Sequence, residues 1–67
     1  MLVYDSARYR IEYLPSINRG CPYALDFKEM RNGRISLVNL GWFETETIAH
    51  RNKNNHAGHY HAPSSKC

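Results

Sequence analysis

The amino-acid sequence predicts an α+β fold: a small three-stranded antiparallel sheet, one short C-terminal helix and a disordered polar tail. Three observations lead there. Residues 7–14 alternate between apolar and polar side chains, the period-two pattern of a half-buried strand. An Asn32-Gly33 pair separates two β-rich runs; both central residues of a type I′ turn need positive φ, which Asn and Gly tolerate. After Phe43 the pattern breaks into Glu44-Thr45-Glu46-Thr47, where a threonine can cap a helix and acids suit its first turn.

Taken in order, the first strand covers Ala7 to Leu14, with Tyr9, Ile11 and Tyr13 on one face and Arg8, Arg10 and Glu12 on the other. Leu2 to Tyr4 either begins this strand or forms a short one of its own. Pro15 closes it, and the residues through Pro22 are rich in turn formers. A second strand fits Tyr23 to Arg31, with Tyr23, Leu25 and Phe27 sharing a face. The returning strand runs from Arg34 to Leu40 and toward Phe43, carrying Ile35, Leu37, Val38 and Leu40. With Thr45 as N-cap, a helix from about Glu46 to Asn52 or Asn55 turns Ile48 and Ala49 inward. Its three asparagines are poor helix formers and shorten the expectation. The domain is therefore expected over residues 1–55. Residues 56–67 form a His-rich tail whose Gly, His, Ala, Pro, Ser and Lys composition predicts disorder.

Sixty-seven residues make one domain at most, near the lower limit for folding unaided. A homodimer contact, another partner or a bound metal is expected to supply part of the stability. The N-terminus turns polar at Asp5 and lacks the apolar stretch of a secretory signal. No apolar run is long enough to span a bilayer, so no membrane role is expected. Cys21 and Cys67 are too few and too far apart for a disulfide framework. They read as free thiols of a cytoplasmic protein. The competing reading is a secreted domain pinned by one disulfide.

The net charge of +3 belongs to one end of the chain. Residues 1–49 hold six basic and six acidic groups and are neutral. The excess comes from Arg51, Lys53 and Lys66, in the same stretch as all four histidines.

The run from Asn32 to Ala49, NGRISLVNLGWFETETIA, resembles the last strand and helix start of AP2-type DNA-binding domains. It is also similar to the arm-binding domains of tyrosine integrases. In those families a hairpin strand ends in a Gly-x-Phe-x-Thr element, and a helix with an inward Ala follows. Gly41, Phe43, Thr45 and Ala49 stand at that spacing. The resemblance covers eighteen residues, and small modules such as SPOR domains share the element. It implies three strands followed by a helix, with DNA read by Arg and Trp on the exposed sheet face. This chain departs from the pattern where its helix runs into Arg51-Asn52-Lys53-Asn54-Asn55, and where Glu12 and Asp26 dilute the basic face.

The leading functional expectation is a non-enzymatic nucleic-acid-binding accessory or regulatory protein. Arg8, Arg10, Lys28, Arg31 and Arg34 on the sheet, with Arg51 and Lys53 beyond it, would neutralise phosphates and release counterions. The alternative is a protein-interaction module that binds and modulates another protein through Trp42 and Phe43, since aromatic residues dominate interface hot spots. The neutral charge of residues 1–49 favours this alternative. His50, His56, His59, His61 and Cys67 suit zinc chemically, but their spacing matches no standard zinc motif, so no metal or other cofactor is expected. The clustered histidines would passively raise the tail's charge below their ordinary pKa of about 6.5. No carboxylate pair, Ser/His/Asp set or phosphate-cradling glycine loop points to catalysis.

Overall fold

A tight reversal at Ser6 divides the N-terminal segment into two strands. The Ser6 N–H donates to the Tyr9 carbonyl at 2.8 Å, and its hydroxyl accepts the Tyr9 N–H at 3.1 Å. Leu2–Asp5 (β1) therefore folds back on Tyr9–Tyr13 (β2) instead of running into it. The sheet has four strands, and the expectation of three is corrected. A serine that bonds its own backbone locally does what a glycine or proline would otherwise announce.

The structure is a computed structural model that describes residues 1–58. A loop after β2 leads to Tyr23–Arg31 (β3), and a two-residue turn leads to Arg34–Phe43 (β4). All neighbours are antiparallel, in the order β1-β2-β3-β4. Asn32 and Gly33 take φ of 49° and 76°, as a type I′ turn requires. Near its end β4 carries a bulge between Asn39 and Gly41. Gly41 has φ of 153°, and a Cβ there would sit 3.1 Å from the Phe43 ring. Glycine is needed because the ring folds back over this position.

Helix α1, Glu46–Ala57, crosses one face of the sheet. Thr45 is its N-cap, with Oγ1 accepting the Ile48 N–H at 3.2 Å. Ile11, Leu25 and Ala49 are almost wholly excluded from water, and Tyr9 and Phe43 complete the core. The helix outlasts its expected end because its last turn finds aromatic partners. His56 Nδ1 lies 2.7 Å from the Tyr9 hydroxyl, and its ring packs against Phe27 and Tyr9. His56 and Ala57 thus belong to α1 and not to a tail. The disorder expected further on concerns residues 59–67, which lie outside the described residues.

Cys21 is buried and disulfide-bonded, which corrects the expectation of a free thiol there; Cys67 lies outside the described residues. The thiol argument for a cytoplasmic location goes with it. No helix among the described residues is long and apolar enough to cross a membrane.

Candidate binding surface

Register divides the sheet residues between two faces. Tyr4, Ile11, Leu25 and Gly41 form one row across the sheet beneath α1. The opposite, open face carries the row Asp5, Arg10, Asp26 and Asn39. Beside it lie the pairs Lys28–Leu37 and Met30–Ile35.

The strands also differ in reach. The β2 register with β3 stops at Tyr9 opposite Phe27, whereas β3 and β4 stay paired out to Arg31 and Arg34. The last backbone bond between the two halves is Lys28 N–H to Arg8 O, 2.7 Å. Beyond it the β3–β4 hairpin continues as a two-stranded arm. On that arm Met30, Ile35 and Leu37 are 65%, 59% and 49% exposed. Register puts all three on the open face. A depression of about 420 Å3 lies where β2 gives out, lined by Ala7, Arg8, Phe27, Lys28, Met30 and Ile35 among others.

The basic residues singled out from the sequence fall in three places. Arg8, Arg10 and Lys28 share the open face. Arg10 Nη2 meets Glu12 Oε1 at 2.8 Å, while its Nε is buried without a partner among the described residues. Lys28 pairs with Asp5 and donates to the Ser6 carbonyl at 2.7 Å. With Asp5, Glu12 and Asp26 set beside Arg8, Arg10 and Lys28, this face balances its charge. Arg31 and Arg34 face each other at the hairpin tip, and Arg31 pairs with Glu29. Arg51 and Lys53 are on α1, where Lys53 Nζ sits 4.5 Å from the centre of the Tyr4 ring.

That contact changes the tyrosine. A hydrogen bond with Ser6, then one with Lys53, holds the Tyr4 phenol below the ordinary tyrosine value. His50 packs edge-on against the same ring and meets Glu46 at 3.2 Å.

Of the aromatic pair, Phe43 is in the core and only Trp42 stays partly open to solvent, opposite Ala24. His50 and His56 are held on separate aromatic clusters, and His59, His61 and Cys67 lie outside the described residues. Among the described residues no group of three or more His, Cys, Asp or Glu could hold a metal ion.

The surface that sequence reasoning missed is the arm. Its signal was present, because Ile35-Ser36-Leu37-Val38-Asn39 has neither a charge nor a proline. An apolar strand reads as a buried one until its neighbours are known. The chain matches no family, no curated protein and no solved structure.

Proposed function

We propose that this chain is a non-enzymatic protein-interaction module whose docking surface is the projecting β3–β4 hairpin. The observation that carries the reading is the exposure of Met30, Ile35 and Leu37 together on one face of an arm that α1 does not cover. Contiguous apolar surface of a few hundred Å2 marks interaction sites on small soluble proteins. The charges nearby are already matched, since Lys28, Arg10 and Arg31 each have an acidic partner.

Affinity capture from the native host, with nuclease added, tests the reading. A protein partner retained after nuclease and lost on Ile35→Glu, with the circular-dichroism spectrum unchanged, is the expected result. Retention of the same partner by Ile35→Glu would remove the hairpin from the interaction.

Nucleic-acid binding is the second reading, and the hairpin tip favours it. Arg31 and Arg34 flank the turn, with exposed Met30 and Ile35 behind them. Arginines beside an apolar wedge are what minor-groove-inserting arms use. Under this reading, duplex affinity falls steeply with salt, and Arg34→Ala with Arg31→Ala lowers the salt slope by about 2. Absence of duplex binding at low salt would dismiss it.

A further inference from the structure

We infer that the open edge of β4 pairs antiparallel with β4 of a second copy of this chain, joining two four-stranded sheets into one. The inference rests on the reading of the hairpin as a docking surface and names its occupant.

The backbone argument comes first. The Lys28 N–H donates to the carbonyl of Arg8, the residue just before β2, and Lys28 stands opposite Leu37 on β4. Lys28 and Leu37 are therefore a non-hydrogen-bonded pair of the β3–β4 ladder, and the N–H and C=O of Leu37 point away from β3. Alternation gives Ile35 and Asn39 the same outward direction. Three consecutive pairs of main-chain groups thus line an edge with no strand beside it among the described residues.

Sheet edges are ordinarily blunted by shortness, charge, proline or a bulge. The far edge follows this rule: β1 has four residues, a bulge and a terminal Asp5. On β4 the protection stops short. Arg34 stands at one end and the bulge after Asn39 at the other, leaving Ile35 to Asn39 unguarded.

The segment is complementary to itself. A two-fold axis at Ser36 sets Ile35 opposite Leu37 of the second copy, and Leu37 opposite its Ile35. Both positions carry outward main-chain groups, so each such pair exchanges two hydrogen bonds. On the open face Met30, Ile35 and Leu37 of both copies then form one apolar strip. Lys28 beside it is already paired with Asp5. The antiparallel arrangement places Arg34 opposite Val38, about 13 Å along the strand from the second Arg34 and beyond the physiological screening length. A parallel pairing would set Arg34 against Arg34.

The apolar area involved, on the order of a few hundred Å2 per copy, is below the roughly 800 Å2 per partner of a standard stable interface. The dimer is accordingly weak, with dissociation in the micromolar range or above. A second copy suits this edge because identical segments supply both the hydrogen-bond complement and the apolar match.

Sedimentation of the whole chain from about 1 µM to about 1 mM tests the pairing. The expected result is a concentration-dependent monomer–dimer equilibrium. Leu37→Pro removes an N–H that the β3–β4 ladder does not use, so it keeps the fold and raises the dissociation constant at least about tenfold. Leu37→Lys serves as a second variant should the proline disturb the hairpin. Amide exchange on the unaltered chain gives an independent readout: protection at Ile35 and Leu37 rises with concentration, while that at Ser36 stays constant. A chain that remains monomeric throughout overturns the pairing, and the nuclease-treated capture then judges the hairpin separately. A dimer unaffected by both Leu37 variants, with no change in exchange on β4, overturns it as well.

Discussion

Beneath α1, Ile11 and Leu25 are 0% and 1% exposed, while on the open face of the hairpin arm Met30 and Ile35 stand more than half in water. Both regions belong to one sheet and use the same kinds of residue. They differ in cover. The inner region has β2 beside it and Ala49 above it, so its apolar side chains meet others in the core. The outer residues lie beyond the end of β2 and on the opposite face of the sheet, turned away from α1. Strand pairing alone keeps the arm extended, because the type I′ turn fixes the register wherever the core ends. Stability should therefore concentrate in the inner region, and binding in the outer one.

Truncation tests this contrast most strongly. Leu25→Ala should destabilise the fold by about 2–5 kcal/mol, read by denaturant unfolding, whereas Leu37→Ala should stay within about 0.5 kcal/mol. Equal losses at the two positions would erase the distinction between core and arm. Reduction of the Cys21 disulfide should cost about 2–4 kcal/mol. The same unfolding curve with and without reductant measures it, and an unchanged midpoint would show that the bond contributes no stability.

The helix supplies the cover, so its attachments come next. Thr45→Ala removes the cap bond to Ile48 and should cost about 1 kcal/mol. Tyr9→Phe breaks the bond to His56 and should cost about 0.5–1.5 kcal/mol, with faster amide exchange confined to the last turn of α1. Uniform loss of protection along α1 would mean that Ala49 and Ile48 do not anchor its first half independently.

Titration of Tyr4 gives the smallest effect. Its phenol should ionise below the ordinary tyrosine value of about 10, and Lys53→Met should move it back upward. A depressed folded value favours the phenolate in the folded state. Its contribution is therefore full above the unfolded value of about 10 and is lost as pH falls through the folded one. Carbon-13 shifts of the tyrosine ring resolve this; a Tyr4 indifferent to Lys53→Met would dissolve the proposed link between α1 and β1.

Much of this was legible in the sequence. The alternation Tyr9-Arg10-Ile11-Glu12-Tyr13 identified the strand and its buried side, Asn32-Gly33 the turn, and Thr45 the start of the helix. The separate β1 was not settled, because a serine that reverses the chain through its own hydroxyl resembles any polar residue. The length of α1 was underestimated for a related reason. Its sheet-facing positions past Ala49 are Asn52, Lys53 and His56, which look like a solvated run until Tyr4, Tyr9 and Phe27 appear beneath them. The basic residues were identifiable, but not their dispersal over the open face, the hairpin tip and the helix.

By itself, then, the sequence determined the local alternatives: which residues alternate, where the hairpin turns and where a helix begins. These depend on φ preferences and on neighbours within a few positions. Only the tertiary structure decided which apolar residues are core and which are surface. Ile35 and Leu37 have the same chemistry as Ile11 and Leu25, and their exposure follows from lying on the opposite face of the sheet from α1, beyond the point where β2 ends at Tyr9. Burial is a property of what else arrives at a place, and that is fixed by contacts between segments far apart in the chain.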